Sequence, residues 1–572
     1  MQKDWIIKDS VDDGCIQHLV NDLSIDSVLA KLLVQRNITT FDEAKAWFRP
    51  SLDNLHDPFL MQDMEKAVNR LVIAIEKNEK ILIFGDYDVD GTTAVSLLWL
   101  FLSKYSKQLD YYIPDRYTEG YGLSLAGVNF AIENGFSLII TLDCGIKANT
   151  QIAFAQSKGL DVIVCDHHNQ GKELPPAYAI LNPKRNDCQY PFKELSGCGV
   201  GFKLLQAFCQ TQNISPNELF QYLDIVAVSI ASDIVQLLGE NRILVAYGIK
   251  QIEENPSLGI DALKRISQLE GDSLSVSDIV FKIGPRINAA GRIGSGRLAV
   301  ELLTCNDVSL VMEIVEEINS NNEFRKDLDK AMTSEALLMI ARDPNQEQKK
   351  TNVVYSSQWH KGVVGIVASR ITEVYYRPTI VLTNANGKIT GSARSVEGFD
   401  LYAALEQCAD LLENFGGHMY AAGLSMKEEN YEAFKDRFEQ VVGLTIRPEM
   451  LIPKIKIDSD LLIDQISAKF YRILKQFEPF GPGNMTPIFM TKNIIGNQTI
   501  RQIGNDGGHL KMLVKSTCAN VVYEAIGFGF GKEVETLKKS TFDICYTIDE
   551  NEFRGEKKIQ LRIRDIKKII ED

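Results

Sequence analysis

Between residues 80 and 182 the chain alternates unbroken apolar runs with segments of helical period. The runs are Ile81–Phe84, Tyr111–Ile113, Leu138–Leu142, Asp161–Cys165 and Ala179–Leu181. Between them lie patterns such as Ala94, Leu97, Leu98, Phe101 and Leu102. Strand runs without in–out alternation, separated by helices, predict a parallel sheet covered on both faces. Upstream, residues 1–55 read as short helices ending near Arg49-Pro50. Residues 197–345 read as mostly helical, with a long polar helix from Val311 to about Ala341 as a connector and a linker over 344–350. Mixed strand and helix return over 351–448, with strands near Asn352–Tyr355, Thr379–Leu382 and Lys388–Ala393. From 451 the period changes to two. Ile559-Gln560-Leu561-Arg562-Ile563-Arg564 alternates strictly, as a half-buried antiparallel strand does, and Gly-rich turns lie at 504–508 and 527–531.

The expected organisation is an N-terminal helical segment (1–55), an α/β domain (56–235), a helical region with its connector (236–350), a smaller α/β domain (351–448) and a β-rich domain (449–572). A length of 572 residues and 64.1 kDa agrees with three to five domains. With 45% hydrophobic and 24% charged residues, disorder, collagen and coiled coil are excluded as global descriptions. No apolar run reaches the ~18 residues of a membrane helix. The first residues show no basic stretch followed by an apolar one, so no secretory signal is expected. None of the 10 cysteines forms a Cys-x-x-Cys pair, and several lie inside apolar runs. Buried free thiols in a reducing, cytoplasmic setting are the expectation. A net charge of −14 argues against a nonspecific polyanion binder. The average conceals a division: residues 451–572 carry 19 Lys+Arg against 16 Asp+Glu, while the remainder is at −17.

Three apolar strands run into acidic or imidazole groups. Ile81–Phe84 leads to Gly85-Asp86-Tyr87-Asp88-Val89-Asp90-Gly91, Leu138–Leu142 to Asp143, and Val162–Cys165 to Asp166-His167-His168. Ligands of open parallel sheets bind outside the carboxyl ends of the strands, so all three clusters fall on one rim. A single strand-end Asp often only caps the next helix. Three carboxylates within five residues, however, repel one another unless a cation sits among them or some are protonated. Carboxylates with imidazole and no thiolate suit Mn²⁺ or Mg²⁺, and this many acidic ligands suits two ions about 3.5–4 Å apart. Asp233 closes another apolar run, and a buried carboxylate there needs a partner.

These motifs resemble, in order, those of the DHH phosphoesterase superfamily. Trp359-His360-Lys361-Gly362-Val363-Val364-Gly365, Gly284-Pro285-Arg286-Ile287-Asn288-Ala289-Ala290-Gly291-Arg292, and Gly416-Gly417-His418 with Ala421-Ala422-Gly423 resemble signatures of its single-strand-specific exonucleases and of the DHH-associated domain. The likeness covers roughly residues 50–570. It implies that Asp88, Asp90, Asp143, His167 and Asp233 hold the metal, with Asp143 bridging two ions. His168 would face the phosphate, and Asp86 is a further catalytic candidate. Family II pyrophosphatases begin the first motif with a histidine where this chain has Phe84.

Substrate candidates follow from the same rim. Arg116 and Tyr117 lie in the loop after the second strand, where an arginine can hold phosphate and a ring can stack on a base. Ser392 and Arg394 offer a hydroxyl and a planar fork. The resemblance implies that they, with Arg286 or Arg292, hold the 5′ end of a strand. His418 follows Gly416 and Gly417, which let backbone approach a ligand. Arg562 and Arg564 share one strand face with Gln560, and a barrel with a polar, basic face is how an OB-fold presents itself. The expectation is thus a parallel-sheet DHH domain and a smaller DHH-associated domain joined by a long helix, followed by an OB-fold. The activity implied is metal-dependent 5′→3′ hydrolysis of single-stranded DNA to 5′-mononucleotides, in DNA repair and recombination. Single-strand-binding protein and a helicase are implied partners. The competing readings are a phosphodiesterase of oligoribonucleotides or cyclic dinucleotides, and a non-catalytic DNA-binding scaffold.

Overall fold

The computed structural model describes residues 3–9, 11–271, 273–385, 387–515, 521–553 and 555–569. The chain forms two compact units, one of residues 55–453 and the other of residues 1–54 with 454–572.

In the first unit, five parallel strands stand in the order Leu109–Tyr112, Ile81–Gly85, Leu138–Leu142, Asp161–Cys165, Ala179–Leu181. Every residue of Ile81–Gly85 and Leu138–Leu142 is buried, which is why these runs are apolar without alternation. The sheet's carboxyl ends carry the three acidic loops on one rim. The helical region contains the connector helix Val308–Ala341. Its helix Gly284–Ile293 packs on the first acidic loop: a Cβ at Gly291 would lie 2.5 Å from the Tyr87 carbonyl, and Asn288 Oδ1 accepts from the Val89 N–H at 3.2 Å. The Gly-Pro-Arg-Ile-Asn-Ala-Ala-Gly-Arg signature thus braces the acidic rim. The smaller sheet runs Asn414–His418, Ala421–Met426, Lys388–Arg394, Thr379–Ala385, Asn352–Tyr355, all antiparallel except the last pair.

The second unit contains a seven-stranded sheet, in the order Ser459–Asp460, Phe489–Ile495, Thr541–Phe553, Glu556–Lys568, Val522–Gly527, His509–Lys515, Arg501–Ile503. The N-terminal residues hold more than the expected short helices. Asp4–Ile7 is a strand paired in parallel with Lys454–Ile457, and Leu19, Leu29, Leu32 and Leu33 share a core with Phe477, Phe489, Phe542 and Tyr546. Four residues, Asp4-Trp5-Ile6-Ile7, carry too little pattern to reveal a strand whose partner lies about 450 positions away.

A buried ion pair ties the start of the first unit to its interior. Lys203 Nζ, fully buried, donates to Glu240 Oε1 (2.9 Å) and to the His56 carbonyl (2.7 Å). Glu240 also accepts from Tyr190 Oη and the His56 N–H. Burial pulls the Lys203 pKa down against the opposing pull of Glu240. Lys203→Met leaves the carboxylate in the core without its cation. The unit should lose about 3–5 kcal/mol of stability, read as a lower urea midpoint. An unchanged midpoint would show that the pair contributes nothing.

Candidate active site

Each acidic loop is held by backbone before any ligand is considered. Asp88 caps the helix Val89–Leu102 and accepts from the Gly91 N–H at 3.2 Å. Asp90, buried two residues on, accepts from the Gly197 and Cys198 N–H groups at 2.6 and 2.8 Å and from Ser229 Oγ at 2.6 Å. The amino end of helix Gly197–Thr211 thus supplies two of the donors that hold this carboxylate in place. Gly197 lies so close to Asp143 that a Cβ there would come within 2.5 Å of the Asp143 Cβ. Asp143 itself is left-handed, with φ +58°.

His167 is the centre of the cluster. Its Nε2 lies 3.1 Å from Asp143 Oδ1, 3.5 Å from Asp233 Oδ2 and 3.8 Å from Asp90 Oδ2. Among the described residues, neither ring nitrogen of His167 has a hydrogen-bond partner, nor do Asp143 Oδ1, Asp233 Oδ2 and Asp86 Oδ2. Buried lone-pair atoms converging without donors fit a divalent cation, because leaving them unpaired is costly. The donor set of carboxylates and imidazole suits Mn²⁺ or Mg²⁺. Burial, joined by Asp90 and then Asp88, pushes Asp143 and Asp233 well above the usual carboxylate range. Burial with the Asp88 charge does the same to Asp86. Asp88 is raised by burial and by Asp90. Burial lowers the His167 pKa.

Asp166 has a different task. It accepts from the N–H groups of Ile146, His167 and His168 at 2.9, 2.7 and 3.0 Å, and from His168 Nδ1 at 2.8 Å. Burial would raise its pKa, but these bonds, led by that of the His168 ring, take it far below the usual range. His168 is raised in turn, since the Asp166 bond outweighs its burial. Tyr121 Oη lies 3.2 Å from His168 Nε2 and donates to the Asp143 carbonyl at 2.9 Å. Asn182, after the fifth strand, donates to the His168 carbonyl at 2.8 Å. Asp166, Tyr121 and Asn182 were not among the expected site residues. The Asp-His-His triplet and the loop Glu119-Gly120-Tyr121-Gly122 were visible, but which side chain turns inward depends on strand packing.

Beside the acidic cluster lies a basic one. Arg394 donates to Ser392 Oγ (2.8 Å) and to Ser369 Oγ (3.2 Å). A Cβ at Gly365, near the amino end of helix Val364–Tyr375, would come within 3.1 Å of Arg394 Nη2 and 3.2 Å of Ser392 Oγ. Sheet register puts Arg394, Ala421 and His418 in one cross-strand row and Ser392, Gly423 and Gly416 in another, with Gly417 between. Burial and then Arg116 lower the Arg394 pKa. Arg292 falls to about 10 through burial and then the charges of Arg116 and Arg325. Arg116 stacks over Tyr87, 4.9 Å from the ring centre. His418 is lowered by burial and by the charges of Arg394 and His168, so it senses both clusters. Arginines that repel one another beside a helix amino end form an anion pocket.

Two expected contacts are committed elsewhere. The Arg286 guanidinium donates to Asn319 Oδ1 and to the Lys282 and Ile266 carbonyls, so it braces the helical region. Tyr117 Oη donates to the Arg292 carbonyl, and Arg292 Nη1 to the Gly362 carbonyl at 3.0 Å. Tyr117 thereby positions Arg292. In the other unit, Arg562 stacks over the exposed Phe528 at 5.1 Å, and Phe528 meets His509 edge-on at 5.1 Å. Arg562, Ile526, Lys511 and Arg501 form one row across that sheet. Burial and the Arg562 charge lower the Arg564 pKa.

Three family models match the chain: the DHH family, N-terminal domain, over residues 80–230; the DHHA1 domain over 349–444; and the RecJ OB domain over 457–565. The chain is 36% identical to the single-stranded-DNA-specific exonuclease RecJ of Bacillus subtilis, over 97% of this chain and 70% of that protein. It is 34% identical to the same exonuclease of Haemophilus influenzae, over 96% of this chain and 98% of that protein. The crystal structure of RecJ in complex with Mn²⁺ from Thermus thermophilus superposes with a TM-score of 0.84 at 26% identity, covering 99% of this chain and 80% of that one.

Ligand carboxylates must lose their protons to bind a cation, so metal and protons compete. The raised pKa values of Asp86, Asp143 and Asp233 contribute stability below the unfolded carboxylate value that is lost as pH rises through the folded values. Mn²⁺ should therefore raise the thermal midpoint of chelator-stripped protein by several degrees at pH 8 and far less at pH 5. An equal shift at both values would contradict the carboxylate site.

Proposed function

The chain belongs to the RecJ family of single-stranded-DNA-specific exonucleases, and from that premise we propose that it removes 5′-mononucleotides from single-stranded DNA in the 5′→3′ direction. The observation that carries this reading is the convergence of unpartnered carboxylate oxygens on His167 Nε2, beside an arginine pocket suited to a terminal phosphate. The protein is a metal-dependent hydrolase, acting with Mn²⁺ or Mg²⁺. Asp88, Asp90, Asp143, His167 and Asp233 would hold the metal, in our reading as two ions with Asp143 shared. Bound there, the metal would activate water for attack on the phosphodiester and stabilise the oxygen that leaves.

The chain's own residues do the rest. Ser392, Arg394 and the amino end of Val364–Tyr375 bind the terminal phosphate, with Arg116 and Arg292 supplying further positive charge. Asp166 fixes the His168 ring through Nδ1, which leaves Nε2 to present a proton to the phosphate oxygens. Tyr121 sets that ring from the opposite side. The basic and aromatic face of Arg562, Lys511 and Phe528 supports grip on a strand, since bases stack on rings and phosphates pair with arginine. Strands free of duplex are supplied by unwinding, so a helicase and single-strand-binding protein are the partners this reading implies, in DNA repair and recombination. The nine described cysteines are free thiols, which suits the cytoplasm. No helix among the described residues is long and apolar enough to cross a membrane.

Two variants test the reading. Asp143→Ala should reduce digestion of end-labelled single strands with Mn²⁺ by more than about 10³-fold, while the metal-free midpoint holds or rises as carboxylate repulsion is relieved. A rate near wild type would remove Asp143 from the reaction. Arg394→Ala should raise KM for 5′-phosphorylated strands about 10-fold more than for 5′-hydroxyl strands, because only the former make the charge-assisted contact. Equal effects would place the terminal phosphate elsewhere.

A further inference from the structure

Ile234 follows Asp233 directly, so their Cα atoms are about 3.8 Å apart. Asp233 closes the helix Leu223–Ser232 in helical conformation (φ −78°, ψ −6°), and Ile234 then turns left-handed with φ +61°. Glycine or asparagine is usual at that position, because a branched Cβ crowds the backbone in the left-handed region. Among the described residues with positive φ, Ile234 is the only β-branched one. Its side chain is 64% exposed, so packing does not offset the strain, and water gains an apolar group. The left-handed turn ends the helix, but ending it does not require a branched apolar side chain left in water.

The location gives the strain a purpose. Asp143, the other carboxylate within 3.5 Å of His167 Nε2, is also left-handed. Backbone strain concentrates at sites where it aims something. At Asp143 it aims the carboxylate. At position 234 the carboxylate belongs to the preceding, unstrained residue, so what the turn aims is the isoleucine side chain itself.

We propose that Ile234 is a substrate-contact residue whose exposed side chain packs against a nucleobase of the strand next to the scissile phosphate. The proposal rests on the exonuclease reading above. A base face is the apolar part of a nucleotide and is present whatever the sequence, so an aliphatic group beside the carboxylate–histidine pocket can hold the terminal nucleotide in register without selecting a base. Contact through the face leaves the base edges unread.

The test uses the full chain with Mn²⁺ and compares Ile234→Gly, Ile234→Asn and Ile234→Val. Gly and Asn should raise the thermal midpoint by about 1–3 °C through relief of strain and leave Mn²⁺ affinity by calorimetry unchanged. They should raise KM for single-stranded DNA about 5–10-fold, and Val should stay within about twofold of wild type. On strands with an abasic site at the first or second nucleotide, wild type should lose affinity and the Gly variant's deficit should disappear at the contacted position. Unchanged KM in Gly and Asn would overturn the proposal. So would a loss of Mn²⁺ affinity in parallel with kcat, which would assign the effect to the aim of Asp233, or a deficit that persists at both abasic positions. Wild type that fails to digest the unmodified strand would instead refute the exonuclease reading.

Discussion

Carboxylates that cannot move apart are the constraint on which the first unit depends. A parallel sheet delivers Asp86, Asp88, Asp90, Asp143 and the Asp166–His168 triplet to one rim, and buried strands prevent the loops from relaxing. Backbone N–H groups supply donors to Asp90 and Asp166, and those at Asp166, with the His168 ring, hold its pKa far below the usual range. Asp143, Asp233 and the His167 ring are left facing one another. The fold therefore gives Asp166 protein donors at both oxygens, leaves Asp143 Oδ1 and Asp233 Oδ2 without any, and gives Asp90 donors while keeping it beside His167. His168 belongs to the first arrangement through Asp166 and faces the second.

The arginine cluster is the complementary case. Burial and then the Arg116 charge lower the pKa values of Arg292 and Arg394, Tyr117 bonds to the Arg292 carbonyl, and Ser392 accepts from Arg394. In the function proposed above, a phosphate monoester at a strand end would satisfy this cluster, and its neighbouring diester the acidic one through metal. Each cluster gathers like charges, and on that proposal one ligand would relieve both. Stability held back at these positions is the expected cost of binding sites that are prepared in advance.

Glycines and small residues let the clusters form. Gly197 gives the backbone of Asp143 room beside a helix end, Gly291 admits the carbonyl of Tyr87, and Gly365 opens the amino end of a helix to Arg394. Each contact lies within 3.1 Å of where a Cβ would be. The motifs that surround the acidic residues in sequence are thus mostly packing devices for them.

The sequence by itself determined the elements and the inventory of the site. Apolar runs without alternation dictate a covered parallel sheet, because both faces must be dry, and an Asp after such a run must fall on its carboxyl rim. The strands Leu138–Leu142, Asp161–Cys165, Ala179–Leu181 and Asn352–Tyr355 were legible residue for residue. Tertiary structure alone decided the partners. Arg286 and Arg292 stand six residues apart on one helix, yet one faces Asn319 and the other Gly362. Asp166 and Asp143 end adjacent strands, yet one meets three N–H groups and the other meets none at Oδ1. The strand Asp4–Ile7 waits on a partner about 450 residues away. Local pattern records which face a residue must bury, since burial is a property of its own side chain and spacing. What that residue then meets is set by chain brought from elsewhere, and no local signal carries that information.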